Sequence, residues 1–271
     1  MKKKNRLLRE RKVGSADEQR TSILNDAYLK HVYEIAIKEV ENFWKVFRGE
    51  LRRDLVVIEI GAAGGITKEL RPRWITLDVR SCEGIDVVIE PGTKLPFKDD
   101  SVDIVFLQDA LHHISPLDEF MVDVKRIMSA NGLLICREPS WAPIAQLVWR
   151  FFHPEDFSVR RLAAQNSKVE KREPMEGNQA LAWYLFRINK GGSNKLINHG
   201  FKFMSELTIK EIKWANGLAF LLSGGTNFTT RVSRQFLKQL HRIESYFPTW
   251  LRLFGFSVWI VFEKKSSQRE N

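Results

Sequence analysis

The sequence is poor in the features that mark secreted and membrane-spanning proteins. Its 271 residues include only two cysteines, Cys82 and Cys136, too few for a disulfide framework and without the spacing of metal ligands. The basic start of the chain is not followed by the apolar core of a signal peptide. No uninterrupted apolar run approaches the ~18 residues needed to span a bilayer. We therefore expect a cytoplasmic protein, either soluble or bound peripherally at the inner face of the membrane.

Positive charge is concentrated at the N-terminus. The chain carries a formal net charge of +10, and its first twelve residues contribute +6, from seven lysines or arginines and one acid, Glu10. Blocks of like charge repel one another and are usually solvated, so we predict that residues 1–20 form a basic flexible arm. Such an arm can also be attracted to an anionic membrane face or to nucleic acid. Of these two partners we expect the membrane.

Patterns of helix and strand alternate between residues 25 and 140. Apolar positions at helical spacing predict an amphipathic helix from Asn25 that ends at Gly49. A further helix and five strands are predicted at Leu117–Met128 and at Leu55–Ile60, Trp74–Val79, Asp86–Glu90, Val102–Gln108 and Gly132–Arg137. This alternation predicts an α/β fold, in which a parallel sheet has helices on both faces and binds ligands at the carboxyl ends of its strands. That edge of the sheet would contain Gly61–Gly65, Asp78, Glu90, Gln108–His113 and Glu138–Ser140.

The alternation stops after residue 140. Residues 141–200 contain an aromatic amphipathic segment and a charged stretch, and we predict that they form an inserted cap over the strand ends. Further on, we predict extended structure at Phe201–Trp214 and Leu218–Leu222, a turn at Gly224–Gly225, a helix at Val232–Phe247 and a strand at Phe256–Glu263. The predicted organisation is an arm (1–20), a helix with a cofactor-binding core (21–140), the cap (141–200) and a part that completes the sheet (201–271).

A loop of small residues, Gly61–Gly65, follows the first predicted strand. Because glycine lacks a Cβ, backbone N–H groups in such a loop can approach a ligand closely. The loop is not a phosphate-binding P-loop, and it lacks two of the three glycines of a dinucleotide fingerprint, since Ala63 and Ile66 stand at those positions. Glu59 would oppose a pyrophosphate but suits a cationic ligand. We therefore predict a cofactor that carries an ammonium and a sulfonium group.

An acidic residue, Asp78, ends the second predicted strand, nineteen residues after Glu59. A single acid at a strand end is commonly a turn or capping residue. At this distance from the loop, however, an acid is placed to reach the hydroxyls of a ribose in this kind of sheet. We therefore predict that Asp78 binds the ribose of the same cofactor.

Four motifs occur in order within residues 55–140. They are Val57–Gly65, Asp78, Leu95–Asp103 and Leu111–His113, and they read VIEIGAAGG, D, LPFKDDSVD and LHH. Together they resemble the motifs of class I S-adenosylmethionine-dependent methyltransferases, especially the broad group similar to the ubiquinone/menaquinone-biosynthesis enzymes. The resemblance implies a Rossmann-like sheet, S-adenosylmethionine as the cofactor and methyl transfer as the activity.

The resemblance also implies roles for individual residues. Glu59, Gly61 and Gly65 would hold the methionine moiety of the cofactor. Asp78 would bind the ribose hydroxyls, and Gln108 would belong to the loop beside the sulfonium.

Two positions depart from the family pattern. Ala63 replaces the middle glycine of the loop, and its methyl group is small enough to leave the site open. Pro91 occupies the place of the family's adenine-contacting aspartate, with Glu90 one residue earlier. Glu90 is therefore the candidate for the adenine contact.

Two adjacent histidines, His112 and His113, follow the fourth predicted strand. If the methyl acceptor is a hydroxyl, either could remove its proton, because the pKa of histidine suits that task. The other interpretation is that the pair shapes a turn. A second group in the predicted cap, His153, Glu155 and Asp156, marks either a helix boundary or an acceptor site.

The kind of acceptor is narrowed by a missing motif. The Asn/Asp-Pro-Pro-Tyr signature of amino-nitrogen methyltransferases is replaced by Leu107–Leu111, which disfavours methylation of bases and protein amides. The long cap offers aromatic faces that suit sugar or apolar rings, those of Trp141, Trp149, Trp183 and Trp214. The C-terminal part resembles, more weakly, methyltransferases found with bacterial surface-polysaccharide synthesis. We expect O-methylation of a saccharide or of its lipid-linked precursor.

Two alternatives stay open at this point. One is C- or N-methylation of a small quinone-like or lipid acceptor. The other is a non-catalytic, nucleic-acid-binding or scaffold protein on a methyltransferase fold, with the basic arm as its binding element. The intact Glu59, Gly61, Gly65 and Asp78 argue against such a degenerate site.

Overall fold

The computed structural model describes residues 16–151, 153, 155–165, 177–188, 207–215, 217–223, 232–244, 246 and 255–264. Within them, the strands are β1 (Val57–Ile60), β2 (Ile75–Asp78), β3 (Val87–Val88), β4 (Val102–Gln108), β5 (Met128–Pro139), β6 (Leu207–Ala215) and β7 (Ser257–Lys264). The α-helices are α1 (Ala16–Asn25), α2 (Ala27–Arg48), α3 (Ile66–Leu70), α4 (Leu117–Ile127), α5 (Pro143–Phe151), α6 (Val159–Gln165), α7 (Leu181–Trp183), α8 (Leu218–Ser223) and α9 (Arg234–Glu244). A 3₁₀ turn covers Leu111–His113, and a π-helical turn, Tyr184–Ile188, follows α7.

The strands form one sheet in the order β3-β2-β1-β4-β5-β7-β6. Strands β1 to β5 run parallel to their neighbours, whereas β7 lies antiparallel between β5 and β6. The register pairs Ile58 with Ile75 on one side and with Val105 on the other. The predicted α/β, Rossmann-like fold is confirmed, and the five strands predicted to be parallel are parallel; the two C-terminal strands make the whole sheet mixed.

The order of the strands reverses between β1 and β4. From β1 the chain adds β2 and β3 on one side of the sheet, and it then returns to add β4 and β5 on the other. In open α/β sheets, ligands bind in the crevice at the carboxyl ends of the strands where this reversal occurs. The fold therefore places the ends of β1 and β4 at the centre of the candidate site.

Both faces of the central strands are covered. Ile58 and Leu107 belong to one core cluster, whereas Val57 and Phe106 belong to a second cluster on the opposite face, where Phe43 of α2 packs. Burial on both faces explains why these strands read as almost continuous apolar runs in the sequence.

Helix α2 forms where its pattern predicts. One Oδ of Asp26 accepts hydrogen bonds from the backbone N–H groups of Tyr28 and Leu29, at 2.9 and 3.1 Å, and so caps the N-terminus. At the other end, Gly49 has a φ of +89° and donates its N–H to the carbonyl of Lys45. A residue with a Cβ adopts such a φ only with strain, which explains the glycine.

Two predicted elements differ in the structure. Residues 16–20 lie in α1 rather than in a flexible arm, because the buried side chain of Arg20 bonds the carbonyls of Gly64 and Gly65; residues 1–15 lie outside the described part. Leu218–Leu222 is helical rather than extended, because Ala219 packs against Tyr28 and Leu237 in a separate cluster. The predicted turn at Gly224–Gly225 also lies outside the described residues.

The described parts of the predicted cap pack onto the sheet. Trp141, Leu162 and Leu181 belong to the same core cluster as Ile58 and Leu107. Residues 166–176 and 189–200 of this segment lie outside the described part. Among the helices that the structure describes, none has both the length and the apolar composition required to cross a bilayer.

Candidate active site

The loop after β1 is held against the end of β2. Gly61 and Ala62 both donate their backbone N–H groups to the carbonyl of Leu77, at 2.9 and 3.0 Å. Gly65 has a φ of +64°, and a Cβ placed on it would lie 2.5 Å from the carbonyl oxygen of Gly84. The loop therefore needs glycine at this position for its shape.

Asp78 and Ala63 lie in direct contact. Ala63, at a φ of +49°, donates its N–H to Oδ2 of Asp78 at 2.7 Å. The other oxygen, Oδ1, accepts from the backbone N–H of Arg80 at 2.9 Å and from its Nε at 3.3 Å. Both Asp78 and Ala63 line a cavity at this edge of the sheet. The predicted ribose acid thus lies beside the predicted cofactor loop.

Arg20, which the sequence pattern did not select, supports the loop from behind. Its Nη1 donates to the carbonyls of Gly64 and Gly65, at 3.1 Å each, and its Nη2 pairs with the carboxylate of Glu69 on α3. A Cβ on Gly64 would lie 2.9 Å from the Arg20 backbone, so α1 packs tightly on the loop. In the sequence, Arg20 follows charged and polar residues, and nothing in that pattern indicates a contact with the loop.

Two buried oxygens on the central strands have no hydrogen-bond partner among the described residues. They are Oε2 of Glu59 on β1 and Oε1 of Gln108 at the end of β4. Gln108 lines the cavity, whereas Glu59 lies behind its lining. Burial of Glu59, which is 2 % exposed, raises the pKa of its carboxyl to about 7, and the charge of Asp78 adds to this effect. Unpaired buried acceptors of this kind fit a ligand that brings cationic donors, such as an ammonium group.

Glu90 lines the same cavity. It follows β3, and its neighbours Ile89 and Pro91 also line the cavity. The structure thus brings Glu90 to the same edge as Asp78, as the order of the strands requires.

His112 is enclosed by acidic groups. Its Nδ1 lies 2.6 Å from Oε2 of Glu138, and its Nε2 lies 3.3 Å from Oε2 of Glu155. Burial disfavours the charged imidazole, but the two carboxylates outweigh burial and raise the pKa of His112 to about 10. Because both ring nitrogens face carboxylates, His112 is not placed to act as a base, contrary to one of the two roles considered for it.

His113 differs from its neighbour. Its side chain is 22 % exposed and lines the cavity, and its Nε2 lies 3.6 Å from Oε1 of Glu155. Burial and the charge of His112 lower the pKa of His113 to about 4, so its imidazole is neutral at pH 7. His113 stays the predicted base of the pair.

The predicted cap supplies the other wall of the histidine cluster. Gln179 donates from Nε2 to Oε2 of Glu155 at 2.6 Å, and the same nitrogen lies 3.2 Å from Nε2 of His112. A Cβ on Gly177 would lie 2.5 Å from Oε2 of Glu155 and 2.7 Å from Cε1 of His113. The backbone of the cap therefore lies directly on the cluster. Of the two interpretations for Glu155, the structure favours a site residue.

A single cavity of about 970 Å³ connects the two groups of residues. Its lining includes Gly61, Asp78 and Glu90, which follow β1, β2 and β3 at one end, and His113 and Glu155 at the other. The apolar part of the lining includes Val148, Trp149, Phe220, Leu221 and Phe256. Among the four tryptophans predicted to offer ring faces, only Trp149 lines the cavity. The others pack elsewhere: Trp141 against Trp214 and Trp183 against Phe157.

Residues 66–136 match the family model described as "Methyltransferase domain". No curated protein sequence matches the chain significantly. Solved structures similar to this chain include a SAM-dependent methyltransferase from Archaeoglobus fulgidus, at 14 % identity, covering 84 % of this chain and 94 % of that one, with a TM-score of 0.43. Another, from Aquifex aeolicus, has 12 % identity and a TM-score of 0.39, and covers 83 % of this chain and 88 % of that one.

At such identities and TM-scores these two structures carry no argument about function. The assignment rests on the family match, on the seven-stranded sheet and on a site whose buried acceptors fit a cationic cofactor. The ubiquinone-type subgroup and the contacts of individual residues with the cofactor stay predictions. By the match of residues 66–136 and by its fold, the chain is similar to class I methyltransferases that use S-adenosylmethionine.

Proposed function

We propose that this methyltransferase methylates a hydroxyl group of a saccharide or of a lipid-linked saccharide. The main support is that one cavity is lined by Gly61 and Asp78 at one end and by His113 and Glu155 at the other. Methyl transfer is an in-line displacement, so the acceptor atom must be held next to the methyl group, on the side opposite the sulfur. A volume of about 970 Å³ is near the upper end of the roughly 300–1,000 Å³ of ligand pockets and suits two ligands.

The cofactor end would hold S-adenosylmethionine through complementary charge and hydrogen bonds. When bound, this cofactor supplies an electrophilic methyl group on a sulfonium sulfur. We expect Glu59 to pair with its ammonium group, Asp78 to accept from the ribose hydroxyls, and Glu90 to lie at the adenine end. Gln108, at the end of β4, would lie between the cofactor and the acceptor, with its unpaired Oε1 available to a donor.

The acceptor end combines an aromatic wall with polar groups. The rings of Trp149 and Phe256 lie 6.1 Å apart and nearly perpendicular, and both line the cavity. Such faces suit the apolar side of a sugar ring. Glu155 is ionised, because the neighbouring histidines outweigh burial and lower its pKa to about 2, so it can accept hydrogen bonds from hydroxyl groups. These features together favour a hydroxylated ring.

His113 would take the proton that the acceptor hydroxyl loses as its oxygen binds the methyl group. Its neutral imidazole lines the cavity, as this role requires. General-base catalysis contributes about 10²–10⁴-fold to a rate. An acceptor of this kind would place the enzyme in surface-polysaccharide synthesis, in the cytoplasm near the inner face of the membrane.

The proposal is tested with radiolabelled S-adenosylmethionine and a panel of acceptors. The panel contains an alkyl glycoside, a fractionated cell envelope, a reduced quinone, an amine and RNA. We expect label in the glycoside or in the saccharide fraction of the envelope. We also expect His113→Ala to lower kcat about 10²–10⁴-fold while the Kd for S-adenosylhomocysteine changes less than about threefold. Trp183→Phe, which lies outside the cavity, is the control and should keep its activity.

Other results would replace the proposal. Label in the quinone, the amine or a lipid without sugar would support C- or N-methylation instead. Label in RNA, or binding of RNA without methyl transfer to any acceptor, would support the nucleic-acid alternative. Full turnover of a glycoside by His113→Ala would remove this residue as the base.

A further inference from the structure

Three side chains at the acceptor end have the arrangement of metal ligands. Nε2 of His112 lies 3.3 Å from Oε2 of Glu155, and Nε2 of His113 lies 3.6 Å from Oε1 of the same carboxylate. One ligand atom from each residue lies within 4.8 Å of the others. Zinc bonds of about 2.0–2.1 Å at tetrahedral angles place ligand atoms about 3.3 Å apart. We propose that His112, His113 and Glu155 bind a divalent first-row transition-metal ion.

The orientation of His112 supports this proposal. Histidines that bind metals usually donate their other ring N–H to a carboxylate, which fixes the tautomer and the plane of the ring. Here Nδ1 of His112 lies 2.6 Å from Oε2 of Glu138, so Nε2 is directed at Glu155. Oε1 of Glu138 in turn accepts from the N–H groups of Ala110 and Leu111, at 3.1 and 2.8 Å. The supporting carboxylate is therefore itself held in place.

The charge around the cluster also favours a cation. His112 is 2 % exposed and lies between Glu138 and Glu155, so two negative charges converge on one buried ring. A proton on the ring neutralises part of this charge, and a metal ion in place of the proton on Nε2 would neutralise more of it. The Gln179 amide nitrogen lies 3.2 Å from Nε2 of His112 and 2.6 Å from Oε2 of Glu155, so a metal ion bound between these two groups would displace it.

The donor set indicates the class of ion. Two imidazole nitrogens and one carboxylate oxygen suit zinc, cobalt, manganese or iron, whereas magnesium and calcium prefer oxygen ligands only. Three protein ligands at the wall of a cavity leave a further position for a small molecule. If the proposed function holds, an acceptor hydroxyl bound to the ion at that position would lose its proton more easily. With Nε2 bound to the ion, His113 would act through the metal instead of as the base, and the proton would pass to solvent. The site itself does not depend on that function.

The test uses the full chain, stripped with a chelator and then titrated with Zn²⁺ by calorimetry and with Co²⁺ by visible absorption. We expect binding of one ion with a micromolar or lower Kd and the d–d bands of cobalt with nitrogen and oxygen ligands. Glu155→Gln and His112→Ala should each weaken binding at least 100-fold. Glu138→Gln should weaken it about 10–100-fold, because only the support of a ligand is lost. His31→Ala is the control, since His31 lies on α2 beside Glu34 and does not line the cavity, and it should bind like the parent.

The proposal is overturned if the parent protein binds neither ion with a Kd below about 1 mM. It is also overturned if Glu155→Gln binds as well as the parent, or if His31→Ala loses as much affinity as His112→Ala. Affinity for S-adenosylhomocysteine, measured on every variant, shows that each is folded. It also separates the two proposals, because loss of metal binding leaves the cofactor end intact.

Discussion

The carboxylate of Asp78 and the backbone N–H of Ala63 are joined by a hydrogen bond of 2.7 Å. This bond connects the end of β2 to the loop after β1, so two sequence motifs fifteen residues apart form one surface of the cavity. The same carboxylate is available to a ribose, because it lines the cavity and each carboxylate oxygen can accept more than one hydrogen bond.

Replacement of Asp78 by alanine should weaken cofactor binding strongly. Hydrogen bonds to a charged group contribute about 1.5–3 kcal/mol, so we expect the Kd of S-adenosylhomocysteine to rise roughly 10–150-fold. Calorimetry measures this change. Asp86→Ala is a control, because Asp86 bonds Lys68 and Thr76 away from the cavity. It should lower the Tm but leave the Kd almost unchanged, and an equal loss of affinity in both variants would contradict the predicted role of Asp78.

Replacement of Glu59 by glutamine should change how stability depends on pH. The pKa of Glu59 is raised from an ordinary 4.5 to about 7, so the folded protein binds more protons than the unfolded chain between these values. The contribution of Glu59 to stability is therefore present below pH 4.5 and is lost as the pH rises through 7. Glutamine stays neutral, so the variant should gain up to about 3 kcal/mol relative to the parent between pH 4.5 and pH 8.

Denaturant unfolding of both proteins, without cofactor, at several pH values checks this expectation. A difference between the two proteins that does not vary with pH would contradict it. We also expect Glu59 to release a proton when the cofactor binds, because the ammonium group of the cofactor favours the ionised carboxylate. Calorimetry at pH 7 in buffers with different ionisation enthalpies should show this release in the parent and not in Glu59→Gln.

Replacement of Arg20 by alanine should loosen the cofactor loop. The change leaves the buried carbonyls of Gly64 and Gly65 without their donor, and an unsatisfied buried group costs about 1–3 kcal/mol. We expect a lower free energy of unfolding and a several-fold higher Kd for S-adenosylhomocysteine. Arg73→Ala, at an exposed arginine near the end of α3, should change neither quantity appreciably. If Arg20→Ala binds S-adenosylhomocysteine as well as the parent does, Arg20 contributes to the stability of the protein and not to cofactor binding.

Local patterns in the sequence carried the prediction of the central elements. Strand β4 begins and ends at the predicted residues, and the C-terminal ends of β1 and β2 lie within one residue of their predicted positions. These strands are buried on both faces, so their apolar runs are determined by the core. The short helix α8 was missed because six residues, Leu218–Ser223, show no clear period, and its helical form depends on packing against α2 and α9.

The candidate site was predictable only where its residues belong to one strand end. Asp78 and Gly61–Gly65 lie at the ends of adjacent strands, so the order of the sheet brings them together. The link between His112 and Glu155 spans 43 positions and crosses into the predicted cap, and no local pattern specifies such a contact. Arg20 was missed for the same reason, since its partners are 44 and 45 residues away.

The position of β7 has a consequence for synthesis of the protein on the ribosome. Among the described strands β7 follows all others in sequence, yet it lies between β5 and β6 and bonds both. Until residues 257–264 have left the ribosomal exit tunnel, the edge of β5 has no partner and β6 cannot join the sheet. The strand that carries Glu138 is thus an open edge from its own synthesis until β7 has emerged, and such edges invite pairing with other nascent chains.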